Sequence, residues 1–351
     1  MHPRVSRVGA LADQAGFAVK WLILSLAAVA LLAISAPWLL PERLQLSLKT
    51  LESRYTTPVS RFADLDGLRL HYTDEGEGPA VVLLHASFMD LRSWDSLTNF
   101  LKTDFRVIRL DFLASGLTGP EPNDRYSFDR NLELVDQLTQ QLGISEFALL
   151  GTSSGGIVAF NFAARHPERV TRLILVNSAG MPRNAKTDPN RERGNPLMSW
   201  LSRRYQTRGM VRDNLATNFI EPHEPPQWLV DRSYDMRLRE GLQREGTLLL
   251  RNFRTGDPQA VLARVRAPTL IIWGLENQTV FHLEADVFRC WLSGAPALVK
   301  KYAGVGHYLY LEEPEKFEKD VGDFLAGRMD QQLTTLQRVP YVPARQESSQ
   351  P

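Results

Sequence analysis

Cysteine is almost absent from this chain of 351 residues, because Cys290 is the only one. No intrachain disulfide can form, so cysteine usage neither requires nor excludes an oxidising compartment. The histidine, cysteine and acidic residues do not have the spacing of metal ligands. GTSSGG, the most glycine-rich loop, lacks the lysine of a phosphate-binding loop. We therefore expect neither a metal nor another cofactor.

Net charge is also small. The chain has 41 basic and 40 acidic residues, which give a formal charge of +1, and no long basic run occurs. A nucleic-acid partner requires a clustered excess of lysine and arginine, so none is expected. Hydrophobic residues make up 43% of the chain, which is enough for one large core with a helical insertion.

The longest stretch without charge lies near the N-terminus. Residues 21–40, WLILSLAAVALLAISAPWLL, match the ~20 residues that a helix needs to cross a bilayer. We predict a transmembrane anchor over residues 17–41, after a flank (1–16) and before a linker (42–58). A cleaved signal peptide is the alternative, although its apolar region is usually shorter. Basic residues flank the stretch almost equally, so they do not fix the membrane orientation.

After the linker, short apolar runs alternate with segments of helical periodicity. The runs are rich in leucine and β-branched residues and barely alternate, which is typical of parallel strands covered on both faces. Six such strands are predicted, at residues 80–86, 105–113, 147–153, 172–178, 268–274 and 297–303. RFADLDGLRLHYTDEG predicts an antiparallel hairpin at the sheet edge. The pattern predicts an α/β fold with a doubly wound, mostly parallel sheet.

One connection is too long for this alternation. We assign the core to residues 59–180 and 267–327, and the intervening residues 181–266 to a helical lid, because long insertions in compact domains are usually functional. The polar tail, residues 328–351, is predicted to be disordered.

The segment LLGTSSGGIVAF contains two candidate nucleophiles. Glycines two positions before and after a serine permit a tight turn between a strand and a helix, and only Ser153 has that frame, with Gly151 and Gly155. The helix that begins there directs free N–H groups at the site, which favours developing negative charge. We therefore predict Ser153 as the nucleophile and the backbone N–H of Ser154 as an oxyanion donor.

A serine hydroxyl needs a base. His307, in AGVGHYLYLEEPEKF, follows the last predicted strand in a glycine-containing loop, from which a side chain can reach over the edge of the sheet. We predict that His307 is this base.

Together GTSSGG, GVGH and PTLIIWG resemble the α/β-hydrolase fold superfamily over residues 59–327. The resemblance implies an acyl-enzyme on the serine and identifies the lid with a cap domain. An uncharged N-terminal segment ahead of such a core is also similar to membrane-anchored monoacylglycerol lipases.

The sequence departs from the superfamily pattern after the third strand. The superfamily usually has His-Gly there, whereas this chain has HASF, with Ala86 in place of glycine. Alanine is acceptable if its φ is negative, and the N–H of Ser87 then becomes the second oxyanion donor. His85 is expected to be a buried structural ring.

A second departure concerns the acid of the catalytic triad. The resemblance puts that acid three residues after the glycine of WGLENQTVF, where this chain has Asn277, preceded by Glu276. Asparagine can orient an imidazole but cannot stabilise the imidazolium, and in a serine protease the Asp-to-Asn change costs roughly 10⁴ in turnover. Either Glu276 takes the role, or Asn277 supports a slower triad, or hydrolysis has been lost. We favour a working site supported by Glu276 or Asn277.

The resulting hypothesis is a membrane-tethered serine hydrolase that acts on a small-molecule or lipid-like carboxylic ester. A non-catalytic binding protein that retains the fold is the rival from another class. Carbon–carbon bond hydrolysis and a haloperoxidase-like reaction are further alternatives, because fold alone does not separate them.

Overall fold

The eight predicted strands are present and form one mixed sheet in the computed structural model, which describes residues 20–25, 27–29, 31, 45–182 and 206–337. In chain order they are β1 (Ser60–Leu65), β2 (Leu68–Glu75), β3 (Ala80–Leu84), β4 (Arg106–Leu110), β5 (Phe147–Thr152), β6 (Val170–Val176), β7 (Thr269–Gly274) and β8 (Ala297–Tyr302). Their order in the sheet is β1-β2-β4-β3-β5-β6-β7-β8.

The predicted hairpin forms the antiparallel edge of this sheet. β1 pairs with β2, and β2 pairs with β4, in antiparallel register, whereas all pairs from β4 to β8 are parallel. Asp66 and Gly67 turn the hairpin with positive φ values of 58° and 81°. Aspartate and glycine tolerate that conformation better than other residues do, which is why Asp-Gly marks such turns.

Helices cover both faces of the sheet. In chain order, the helices of the described residues, including those of the lid, are α1 (Leu48–Tyr55), α2 (Asp95–Leu101), α3 (Phe128–Gln141), α4 (Ser154–Arg165), α5 (Arg208–Ala216), α6 (Gln227–Arg237), α7 (Leu242–Arg251), α8 (Pro258–Leu262), α9 (Glu284–Trp291), α10 (Leu309–Glu312), α11 (Pro314–Leu325) and α12 (Asp330–Gln337). Successive strand residues point to opposite faces. Accordingly Val82 and Leu84 join one apolar cluster, while Val81 and Leu83 join the other.

We predicted that residues 42–58 form a simple linker. This prediction is wrong, because the segment contains α1. Ser47 caps this helix by accepting a hydrogen bond from the Thr50 N–H, as N-cap serines do. Leu51 is completely buried and packs in a small cluster with Leu117 and Leu238. Burial of this leucine on the core and on the insertion attaches the segment to the globular unit.

We also predicted that the chain is disordered from residue 328 onward. This prediction is wrong for Asp330–Gln337, which forms α12. Met329 and Leu333 are four residues apart and both are buried against the core. Two apolar side chains at this spacing lie on one helix face, so they dock a short helix in an otherwise polar sequence. Residues 338–351 lie outside the described residues.

The chain divides into two units, Met1–Leu44 and Gln45–Pro351. In the first unit, the described residues 20–25, 27–29 and 31 are helical, and the remainder of the predicted anchor (17–41) lies outside the described residues. Within the part of the chain that the structure describes, none of the helices combines the length and apolar character needed to span a bilayer.

The predicted lid, residues 181–266, contributes α5 to α8, and its residues 183–205 lie outside the described residues. Arg232 of α6 is buried and forms an ion pair with Asp90, which follows β3. A buried arginine requires such a partner, so this contact fixes α6 above the core.

Candidate active site

Ser153 lies at the junction of β5 and α4 in a strained backbone conformation. Its φ and ψ are 52° and −119°, which non-glycine residues rarely adopt and which costs of order 1–3 kcal/mol. The Ser153 N–H donates to the Val176 carbonyl at 3.1 Å. Its own carbonyl accepts hydrogen bonds from the N–H groups of Gly156 and Ala179, each at 3.0 Å. These contacts hold the turn that presents the serine at the carboxyl end of the sheet.

The glycines around Ser153 are required by close backbone contacts. A Cβ atom on Gly151 would lie 2.3 Å from the Gly155 carbonyl oxygen. A Cβ atom on Gly155 would lie 2.5 Å from the carbonyl oxygen of His85, beyond the end of β3. The turn therefore packs directly against the neighbouring strand, where the second oxyanion donor was predicted.

Ser87 and Ser154, the two predicted oxyanion donors, contact each other. The Ser87 hydroxyl donates to the Ser154 hydroxyl at 2.8 Å, which joins the segment after β3 to the start of α4. Ser154 is the first residue of α4, so its N–H has no partner within the helix. Among the described residues, the non-glycine positions with positive φ include Phe88 but not Ala86, so alanine meets the condition set by the sequence.

His85 is a structural residue, as predicted. Its ring is buried, Nδ1 lies 2.8 Å from the Ala86 carbonyl oxygen, and Nε2 accepts the Phe112 N–H at 3.1 Å. Because both nitrogens have backbone partners, the imidazole is not available as a base.

Asn277, and not Glu276, contacts His307. The Asn277 amide nitrogen lies 3.1 Å from His307 Nδ1, and both side chains are buried. The Asn277 Oδ1 accepts two backbone hydrogen bonds, from Thr279 at 2.9 Å and Val280 at 3.1 Å. A flipped amide would put its NH₂ group against two N–H donors, so these bonds fix the amide orientation.

This orientation determines the histidine tautomer. The Asn277 NH₂ group can only donate, so Nδ1 of His307 must accept and the ring hydrogen is held on Nε2. A base in a serine triad needs the opposite arrangement, with hydrogen on Nδ1 and a free lone pair on Nε2. The contact therefore disfavours both the reactive tautomer and the imidazolium that forms from it.

Glu276 lies on the other side of the loop. Its carboxylate accepts the N–H groups of Gly304 at 2.9 Å and Val305 at 3.2 Å, and the side chain is exposed. The acidic neighbour thus stabilises the turn that leads to His307 and does not contact the imidazole.

Asn177, for which no role was predicted, joins the serine and histidine segments. Its Nδ2 donates to the carbonyl of His307 at 2.8 Å and to that of the preceding glycine at 3.1 Å. Its Oδ1 accepts the Gly274 N–H at 3.0 Å. Asn177 directly follows Val176, whose carbonyl binds the Ser153 N–H. One buried side chain therefore connects the ends of β6 and β7 to the histidine loop.

The histidine loop is also held by the cap and by α10. The His307 N–H donates to the carbonyl of Asn218, in the cap, at 2.9 Å. Glu312 accepts the N–H of Gly306 at 3.0 Å and that of Ile220 at 3.0 Å. Burial raises the pKa of the Glu312 carboxyl despite these backbone donors. Residue spacing did not identify Glu312, because its partners are backbone N–H groups, one of them 92 residues away.

The sheet order, the strand-to-helix turn at Ser153 and the cap agree with a family model. The model of the alpha/beta hydrolase fold matches residues 79–314. The chain belongs to the α/β-hydrolase fold family. The sequence resemblance is thereby confirmed, and the family members to which the chain is similar include hydrolases, a putative synthase and a decarboxylase.

Relatives of this hydrolase family differ in chemistry. A 2-hydroxy-6-oxo-6-phenylhexa-2,4-dienoate hydrolase of Comamonas testosteroni is 28% identical over 77% of this chain and 97% of its own length. A monoacylglycerol lipase of Xenopus laevis is 25% identical over 76% of this chain and 82% of its own.

A solved structure has the same fold. The crystal structure of a membrane phospholipase A, described as a bacterial virulence factor, matches with a TM-score of 0.66 and 24% identity. The match covers 88% of this chain and 97% of that one.

Proposed function

We propose that this chain is a serine hydrolase that cleaves a carboxylic ester through an acyl-enzyme on Ser153. The observation that carries the proposal is the strained φ of 52° at Ser153, between β5 and α4. Strain of this kind persists only where surrounding contacts enforce it, and it is characteristic of active sites. The adjacent Ser87–Ser154 contact supports an oxyanion site beside it.

In the proposed reaction, His307 removes the Ser153 proton while Oγ attacks the ester carbonyl carbon. The N–H groups of Ser87 and Ser154 stabilise the tetrahedral oxyanion. Collapse breaks the bond to the alkoxide, which takes the proton from His307. Water then attacks the acyl-serine, with His307 again as base, and releases the carboxylic acid.

Asn277 makes this hydrolase slow. Its amide favours hydrogen on Nε2 of His307, so only the minor tautomer can accept the serine proton. We propose that the enzyme turns over on this minor population and that Asn277 supports it by fixing the ring position.

We also propose that the substrate is lipid-like and that residues 17–41 anchor the chain to a membrane. The uncharged run over residues 21–40 has the length of a transmembrane helix. Similarity to a monoacylglycerol lipase supports an acyl-chain ester as the substrate class.

The test is labelling of the full chain by a fluorophosphonate probe, followed by peptide mapping. We expect slow labelling at Ser153 that the Ser153→Ala variant abolishes. Ser154→Ala is the matched control, because it keeps the backbone N–H and removes only a hydroxyl, so labelling should persist within about threefold.

A non-catalytic binding protein is the second candidate, favoured by the orientation of the Asn277 amide. Complete resistance of Ser153 to the probe, even after hours at pH 8, would support it over the hydrolase. Carbon–carbon bond hydrolysis is the third, favoured by similarity to the dienoate hydrolase. Probe labelling without turnover of any p-nitrophenyl ester, but with cleavage of a 2-hydroxy-6-oxo-dienoate, would support it.

A further inference from the structure

A serine, a histidine and an aspartate form a second series of hydrogen-bonded side chains outside the site described above. They lie on the β1–β2 hairpin and just after the end of β4. Nδ1 of His71 lies 2.7 Å from Oδ2 of Asp111. Nε2 of the same ring lies 3.0 Å from Oγ of Ser60. His71 and Asp111 are both buried, and Ser60 is partly exposed.

The hydrogen-bond partners of these three residues permit proton transfer from Ser60 to His71. Asp111 also accepts the N–H groups of Leu91 and Leu117, each at 2.8 Å, so it acts as an ionised acceptor. Burial alone would raise the pKa of Asp111, but its charge interaction and hydrogen bond with His71 lower it below the ordinary value. When His71 is neutral, this acceptor holds the ring hydrogen on Nδ1, and Nε2 can accept from the serine. This tautomer is the opposite of the one that Asn277 enforces on His307.

Ser60 is oriented for the same role. Its Oγ accepts the Thr57 N–H at 3.0 Å and lies 3.4 Å from the Thr57 hydroxyl, whereas Nε2 of His71 is closer, at 3.0 Å, and can accept the hydroxyl hydrogen. A hydroxyl that accepts from the backbone and donates to an imidazole is in the ground-state arrangement of an activated nucleophile.

The series opens into a cavity of about 180 Å³ that Ser60 and His71 help to line. This volume holds several water molecules, so a short acyl group fits beside the serine. Charged side chains complete the lining. Arg109 is paired with Glu75 and Asp95, and Arg92 donates from Nε to Asp95 at 2.7 Å. The terminal N–H donors of Arg92 are suited to an anionic oxygen.

We propose that Ser60 is a second nucleophile of this chain, which takes short acyl groups from small esters. Oγ of Ser60 attacks the carbonyl carbon while His71 receives the proton on Nε2. Arg92 stabilises the oxyanion. The carbon–oxygen bond to the leaving alcohol breaks, the alcohol takes the proton from His71, and an acyl-Ser60 ester remains. Asp111 orients His71 and stabilises its positive charge, so it is a positioning residue. The proposal does not depend on Ser153.

The first experiment uses the full chain carrying Ser153→Ala, treated with p-nitrophenyl acetate and analysed by peptide mass spectrometry. We expect acetylation of Ser60, and its loss when Ser60→Ala is added. Ser53 is the internal control, because its exposed hydroxyl donates only to the Thr50 carbonyl at 2.8 Å and should stay unmodified. Absence of acetyl from Ser60, or equal modification of Ser53, overturns the proposal.

The second experiment measures proton transfer to His71 independently of acyl chemistry. In a Cys290→Ser background, which removes the native thiol, Ser60→Cys is alkylated with iodoacetamide from pH 5 to pH 9. An imidazole partner lowers a thiol pKa, so we expect alkylation at pH 6 about tenfold faster than for Ser53→Cys in the same background. Identical pH profiles for the two thiols would show that the series is only structural.

Discussion

The amide nitrogen of Asn277 lies 3.1 Å from Nδ1 of His307, where a family member with a carboxylate would place an oxygen. Two backbone donors hold Oδ1 and prevent the amide from flipping. The fold is therefore retained around a histidine whose favoured tautomer opposes proton transfer from serine.

Asn277→Asp should raise kcat/KM for p-nitrophenyl butyrate. One carboxylate oxygen would keep the N–H groups of Thr279 and Val280, and the other would accept hydrogen from Nδ1 of His307. Reversal of the tautomer should increase kcat/KM by about 100-fold or more, since the opposite change costs roughly 10⁴ in a serine protease. Asn277→Ala is the control and should not gain activity. If kcat/KM of Asn277→Asp is no higher than that of the native chain, the tautomer of His307 does not limit the rate.

Asn177→Ala should destabilise the fold and loosen the histidine loop. The change leaves the Gly274 N–H and the carbonyls of Gly306 and His307 without their buried partner. Each unsatisfied buried group costs about 1–3 kcal/mol, so we expect a loss of about 3 kcal/mol or more in urea unfolding. Asn123→Ala, on the surface, serves as control. Unchanged stability would mean that this bridge is replaceable.

Gly155→Ala should disrupt the turn at Ser153. The added Cβ atom would meet the backbone of β3, at 2.5 Å from the His85 carbonyl oxygen, and a strand backbone cannot yield as a side chain can. We expect a loss of several degrees in Tm and of fluorophosphonate labelling. Gly246→Ala is the matched control, because its Cβ atom meets nothing within 4 Å in α7 and should stabilise the helix by about 0.5–1 kcal/mol.

Acid should weaken the fold partly through Asp111. Its pKa in the folded chain lies below the ordinary value of 3.8, so the unfolded chain binds a proton in a range where the folded chain does not. This contribution is present above pH 3.8 and is lost as pH falls below it. The measurement is urea unfolding from pH 7 to pH 3. At pH 7 we expect the free energy of unfolding of Asp111→Asn to be about 3 kcal/mol lower than that of the native chain, and at pH 3 we expect a smaller difference. Exposed Glu77→Gln should follow the native curve. A constant difference across the series would contradict the assignment.

The strands were predictable because continuous apolar runs such as β5 are buried at every position, and local composition is sufficient to identify them. The identity of Asn277 was likewise visible in the sequence. Its orientation was not, because it depends on where the N–H groups of Thr279 and Val280 point after folding.

Contacts between distant segments were harder to predict. Asn177 binds backbone groups about 100 and 130 residues away, and no local pattern encodes such a partner. α12 was missed for a different reason. Met329 and Leu333 are buried against the core, and Asp330 adds an ion pair with Arg172. Two apolar residues in a polar tail do not stand out from composition, and the ion-pair partner lies 158 residues away.

The hydrogen bond from the His307 N–H to the Asn218 carbonyl affects how a substrate could enter the site. The lid binds the loop that carries the proposed base, so displacement of this part of the lid would remove a restraint on the imidazole. In the proposed hydrolase, entry of a bulky ester past this segment and alignment of the reacting groups would therefore exclude each other.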